Sequence, residues 1–207
     1  MEIAPLFLAS AVGFSHAFEA DHLVAVSNIV TRRNNVFLSL KDGIYWGLGH
    51  TSTVLLVGSF FIFSKFALNE NGFRYFEVVV GITLIILGFY RIYKLHKPPI
   101  LIITHHHNHH THQHKLAYSV GLLHGLAGSG ALVLTVLTTI KGILGSILYL
   151  IIFGIGSMVG MMLAAGVFSI PFSGKIINNQ IFRVSLIIFS SLLCVGLGVI
   201  MVYQNLK

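Results

Sequence analysis

Six long apolar runs govern what this chain can become. They lie at about 3–30, 43–64, 73–95, 116–140, 142–168 and 181–203 of its 207 residues, and each reaches the ~20 residues a helix needs to cross a bilayer. Runs this long and uniformly apolar do not alternate as barrel strands do, so each span is expected to be a helix that satisfies its own backbone hydrogen bonds. The charge count agrees: 13 Lys and Arg with 6 Asp and Glu make 19 charged side chains, where a soluble domain of this length carries about 52. An ordinary soluble enzyme is excluded.

The connections divide the chain in two. Most are short and polar, such as Thr31-Arg32-Arg33-Asn34-Asn35, and the one long connection, 96–115, holds Pro98-Pro99 and a histidine tract. Residues 1–95 and 116–207 then form two units of three spans. A slide of 108 residues puts His124 on His16, Thr139-Ile-Lys141 on Thr31-Arg-Arg33, and Gly196 on Gly88, and the Gly154/Gly156 region corresponds to Gly47/Gly49 with Ser157 opposite His50. Units with an odd number of spans have opposite orientations, so the expected fold is an all-α integral membrane protein: six transmembrane helices as two inverted three-helix repeats, with a substrate site near the midplane.

Lys and Arg set the orientation. The first, third and fifth connections and their flanks carry nine (Arg32, Arg33, Lys41, Arg91, Lys94, Lys97, Lys115, Lys175, Arg183), and the other side carries four (Lys65, Arg74, Lys141, Lys207). Positive charge stays inside, so both termini are expected outside the plasma membrane and the tract in the cytoplasm. The net charge of +7 then reports topology and contact with anionic lipid, and no nucleic-acid partner is expected. Met1-Glu2-Ile3 has no positive n-region, so no removable signal is expected. Cys194 is alone, which excludes dithiol relays and Cys-rich zinc modules.

Chemistry concentrates in the first span, where His16-Ala-Phe-Glu19-Ala-Asp21-His22 puts two imidazoles and two carboxylates among apolar residues. Each acid costs about 2.5–3.5 kcal/mol near a helix centre and each Leu, Ile, Phe or Val returns about 0.3–0.6, so the span inserts near break-even. Ionisable groups placed at such cost mark function. At 100° per residue, His16, Glu19 and His22 share one face while Asp21 points about 140° from His16. A ligand common to Asp21 and His16 therefore requires an unwound or kinked helix. His50 on the second span and His124 on the fourth, both flanked by Gly, Ser and Thr, complete the candidate metal set of His16, Glu19, Asp21, His22, His50 and His124. Neutral imidazole with carboxylate suits nickel, cobalt and zinc, and the lack of thiolate disfavours copper(I).

These motifs carry a family resemblance. His16-x4-Asp21-His22 in HAFEADHL resembles the signature helix of the nickel/cobalt transporter family, and Gly47-Leu-Gly-His50-Thr resembles its second His-bearing motif. HGLAGSGAL, residues 124–132, is similar to the shorter six-helix, urease-accessory-type (UreH-like) branch. The resemblance implies a nickel or cobalt permease with His16, Asp21, His22 and His50 at the metal site, the ion being substrate rather than prosthetic group. Glu19 stands where family members usually have Asp, and the extra helices of the eight-helix importers are absent.

The long connection contributes His105, His106, His107, His109, His110, His112 and His114, seven histidines within 105–115. Such tracts bind borderline metals through neutral imidazole, so accessory metal capture beside the inner mouth is expected, with a metallochaperone or a second copy of the chain as candidate partners. Two other readings stand beside the permease. One is a membrane accessory factor for maturation of a metalloenzyme such as urease. The other is a di-iron oxidoreductase, suggested by His106-x-x-His109-His110 and disfavoured because the remaining histidines are scattered singly through apolar spans.

Overall fold

The computed structural model describes residues 3–30, 35–64, 70–95, 114–126, 140, 142–172 and 180–207. Among them the regular structure is helical and no strand occurs. In chain order the helices are α1 (Ile3–His16), α2 (Ala20–Val30), α3 (Val36–Ser64), α4 (Glu70–Leu95), α5 (114–126), α6 (Ile143–Ser169, followed by a 3-10 turn at Ile170–Phe172) and α7 (Gln180–Leu206). Four of these contain stretches long and apolar enough to cross a membrane: Val36–Ser64, Arg74–Leu95, Ile143–Phe172 and Ile181–Leu206. Large apolar side chains such as Phe7, Leu56, Phe60, Ile86, Ile181 and Phe189 cover the outer faces, as lipid contact requires. The chain is a helical membrane protein.

Two expected spans take a different form. The first is broken: α1 ends at His16 and α2 begins at Ala20. At 1.5 Å per residue the two pieces measure about 21 and 16 Å, so neither crosses ~30 Å of hydrocarbon alone. At the break, Phe18 N–H donates to Ser15 O at 2.9 Å and Glu19 N–H to His16 O at 3.1 Å, and α-helical bonding resumes with Leu23 N–H to Glu19 O. The tighter turn keeps the amides satisfied. It also places His16 at the negative end of α1 and Asp21 at the positive end of α2, where helix dipoles favour each charge type. The fourth expected span is described only over 114–126, and the last two residues of the expected 96–115 loop, His114 and Lys115, are already helical.

The second span starts seven residues earlier than hydropathy suggested. Asn35 accepts the Phe37 N–H on its side-chain oxygen at 2.8 Å, an N-cap, and this carries α3 back over Ser39, Lys41 and Asp42. At the other end of the chain's middle, Gly142 begins α6 with φ 92°, a conformation that glycine adopts without strain, and Pro171 in the closing 3-10 turn lacks the N–H that would continue the helix.

Packing is built on close approaches of small residues. A methyl group on Gly13 would strike the backbone of Phe153, and one on Gly121 would strike that of Trp46; Gly156 faces Ser10 O and Gly49 faces Tyr118 O in the same way. Gly121 and Tyr118 lie 108 residues after Gly13 and Ser10, and Phe153 and Gly156 lie 107 after Trp46 and Gly49. The α1–α6 interface is thus repeated, contact for contact, between α5 and α3. α3 and α6 cross antiparallel, with Gly47 against Met158 and Gly154 against Thr51, and α4 and α7 cross antiparallel at Gly81 and Gly198. Gly196 does not share the surroundings of Gly88: Gly88 abuts Ser191 O and Val195, and nothing lies near Gly196. α2 sits inside this frame, burying His22, Ala25, Val26, Asn28, Ile29 and Val30 against α6, α7, α4 and α3.

Candidate metal centre

The break between α1 and α2 opens onto four histidines. His16 comes from the last turn of α1, His22 from the first turn of α2, His50 from the middle of α3 and His124 from α5. All four are buried, His22 and His50 completely. The ring of His16 lies 4.6 Å from that of His22 and 5.2 Å from that of His50, and the ring of His22 lies 5.3 Å from His50 and 5.3 Å from His124. Trp46 and Phe153 form the walls, at 5.5 Å from His22 and 5.5 Å from His16 respectively. Trp46 and Phe153 occupy the matching places of the two repeated interfaces, as do His124 and His16.

Hydrogen bonding fixes how the rings are presented. His16 Nδ1 lies 2.8 Å from Glu19 Oε1, and His22 Nδ1 lies 3.1 Å from Asp21 Oδ1. A carboxylate only accepts, so each Nδ1 donates and the lone pair of each neutral ring resides on Nε2. Among the described residues, His16 Nε2, His22 Nε2 and both ring nitrogens of His50 and of His124 are buried without a hydrogen-bond partner. A buried polar atom left so costs about 1–3 kcal/mol. Four imidazoles clustered in this way, each with one ring lone pair when neutral, suit a ligand that accepts nitrogen lone pairs.

The spacing fits one cation. One donor atom each from His16, His22 and His50 can be chosen so that all lie within 4.8 Å of one another. Tetrahedral bonds of about 2.0–2.1 Å to one ion put imidazole donors about 3.4 Å apart, so the three rings would have to draw together to share it. Glu19, Asp21 and His22 form a second group within the same limit, more open to the surroundings. Their carboxylates have side-chain exposures of 57% and 21%, against 1% for His22. The two groups share His22.

The expected residues divide accordingly. His16, His22 and His50 converge, with His124 beside them. Asp21 and His16 do not fall in one donor group, although the helix is broken as their shared use would need; each instead belongs to a group joined through His22. His105, His106, His107, His109, His110 and His112 lie outside the described residues. His114 stands apart from the centre, with Nδ1 2.7 Å from Oδ1 of Asp42. Asp42 and Trp46 were not among the candidates. The signal for both was their spacing: 42, 46 and 50 recur at four-residue intervals, one face of a helix, and the apolar window began one residue too late to include the acid.

Among curated proteins the chain is 35% identical, over 182 residues, to the urease accessory protein UreH of Bacillus sp. (strain TB-90), a match that covers 81% of this chain and 77% of the relative. The chain belongs to the UreH family. The resemblance carried by residues 124–132 is thereby borne out, and with it the reading of a membrane protein that is not an enzyme. No family model and no solved structure matches the chain.

Proposed function

We propose that this UreH-family protein is a permease for nickel or cobalt in the plasma membrane, built as two inverted three-span repeats, 1–95 and 116–207, around the cytoplasmic tract of 96–115. The observation that carries this reading is the cluster of buried, unpartnered imidazole nitrogens on His16, His22, His50 and His124 at a mid-span helix break. The recurrence of the α1–α6 contacts between α5 and α3 supports the repeat.

The two donor groups suggest a path. A divalent ion meets Glu19 and Asp21 first and exchanges water for carboxylate oxygen. It then passes to the Nε2 lone pairs of His16 and His22 and to His50, with His22 common to both steps. Ligands bind metal only when deprotonated, so proton uptake by Asp21, Glu19 or a histidine promotes release. Nickel, cobalt and zinc all accept this donor set.

Metal-dependent growth of cells carrying or lacking the gene tests the function. Resistance to added nickel indicates export and rescue under scarcity indicates import, and His16→Ala or Asp21→Asn should abolish either effect. Variants that reach the membrane and still move nickel at the normal rate would sink the proposal. The relative's name favours a second reading, an accessory factor in urease maturation. A cell without urease separates them: a permease changes cellular nickel there, and a maturation factor does not.

A further inference from the structure

Trp46 walls one side of the four-histidine centre, and the proposed transport step gives its polar atom no part. It is the one tryptophan of the sequence and is 1% exposed. The indole is wedged between two of the histidines, its ring 5.5 Å from that of His22 at 32° and 5.9 Å from that of His124 at 82°. A Cβ on Gly121 would lie 2.8 Å from Trp46 Cδ1, the atom bonded to Nε1. The N–H edge of the indole therefore borders α5, the helix that also supplies His124. Nε1 itself is buried and has no hydrogen-bond partner among the described residues.

A wall needs only the faces of an aromatic ring, and Phe supplies those without a polar atom to bury. Buried tryptophan N–H groups find an acceptor as a rule, because leaving one unmet carries the full cost of its desolvation. The indole N–H only donates, so Trp46 cannot ligate a metal. Its hydrogen carries partial positive charge, and a cation held by the neighbouring imidazoles repels it. One kind of group suits both: an oxygen that gives one lone pair to the ion and accepts the N–H with another. The carboxylates of Glu19 and Asp21 belong to the outer donor group, and neither meets Nε1. Water is the oxygen that arrives with the ion.

We infer that the centre holds its divalent ion with at least one water molecule still attached, and that Trp46 Nε1–H donates to this water and positions it. The inference rests on the permease reading and narrows its cargo to a partly hydrated ion rather than one stripped of water. Trp46 is then a positioning residue that acts on the ion through its water, and the loss of such an outer contact weakens metal binding by about 10–100-fold. An ion that keeps a water gives up less of its hydration on entry and regains it sooner on exit, as a site that must release what it binds requires.

Because the chain has one tryptophan, biosynthetic replacement of tryptophan by benzothienylalanine, which carries sulfur in place of the N–H at nearly the same shape, changes this position and no other. The full-length protein in detergent is loaded with Co2+ alone, an ion that electron–nuclear double resonance can read, with His105, His106, His107, His109, His110 and His112 replaced by Gln so that the tract holds none. In water enriched in the magnetic oxygen isotope, the bound ion should couple both to imidazole nitrogen and to water oxygen, and both couplings should vanish in His50→Gln. The benzothienyl protein should melt at least as high without metal and bind Co2+ at least tenfold more weakly by equilibrium dialysis. Nitrogen coupling without oxygen coupling, couplings that survive His50→Gln, an unmoved dissociation constant, or a lower metal-free melting temperature would each overturn the inference. Failure of the permease reading looks different: both couplings are present, and the native chain moves no Co2+ across a membrane.

Discussion

His50 offers two buried ring nitrogens and meets no hydrogen-bond partner among the described residues at either, whereas His16 and His22 each turn Nδ1 to a carboxylate. That difference assigns roles within the centre. On the proposed reading, Glu19 and Asp21 orient imidazoles and belong to the outer donor group, and His50 acts through its lone pair. A residue kept for packing would not leave two polar atoms buried at about 1–3 kcal/mol each. His50→Leu, similar in volume, is therefore expected to make the metal-free protein more stable by about 1–3 kcal/mol. It should also remove the stabilisation by nickel, which for one site at a hundredfold excess over Kd is about 2.7 kcal/mol. Thermal unfolding in detergent, with and without Ni2+, reads both effects. A His50→Leu protein that melts lower and still responds to Ni2+ would return this histidine to packing.

At the scale of elements, the break in the first span was expected if Asp21 and His16, about 140° apart on one helix, shared a ligand; the break is present, but the two belong to different donor groups. The place and form of the break were not legible, since Ala17-Phe18-Glu19 has neither Gly nor Pro; Ala17 there lies close against Gly160 of α6. Hydropathy also misjudged the start of α3: Lys41 and Asp42 lowered the apolar window, although a capping Asn35 and a buried carboxylate pair make that segment helical. Glycines in an apolar helix allow close packing, yet only contact decides which of them serve it. Gly13 admits no Cβ without moving the backbone of Phe153, and Gly196 has open space. Gly13→Ala should cost about 1–3 kcal/mol as an overpacked contact, and Gly196→Ala should gain about 0.5–1 kcal/mol from helix propensity. Melting temperatures of the two variants give opposite signs if these interfaces hold the bundle together. Equal destabilisation would mean that the α1–α6 approach is not a tight contact.

At the scale of the whole molecule, the helix directions carry a topology that span lengths alone do not. α3 and α5 run parallel, because Asp42, Trp46 and His50 meet His114, Gly121 and Gly125 in ascending order. α3 and α6 run antiparallel, because Gly43, Gly47 and Thr51 meet Met161, Met158 and Gly154 in descending order on the second helix. α5 therefore starts on the side where α3 begins and α6 starts on the opposite side, as the proposed six-span reading requires. In that reading α6 brings the chain back, and α7 crosses once more. On the proposed topology Phe37, at the start of α3, and Lys207, after the end of α7, lie on opposite faces, with Phe37 expected in the cytoplasm from the distribution of Lys and Arg. Both positions are exposed, Phe37 at 61%, and the one cysteine of the sequence, Cys194, is buried. In a Cys194→Ser background a membrane-impermeant maleimide is expected to label Lys207→Cys in intact cells and Phe37→Cys only in inside-out vesicles. Labelling of both from one side would mean that the segment after α5 turns back without crossing. The second unit would then hold two crossings rather than three, and two such units could not be inverted copies of each other.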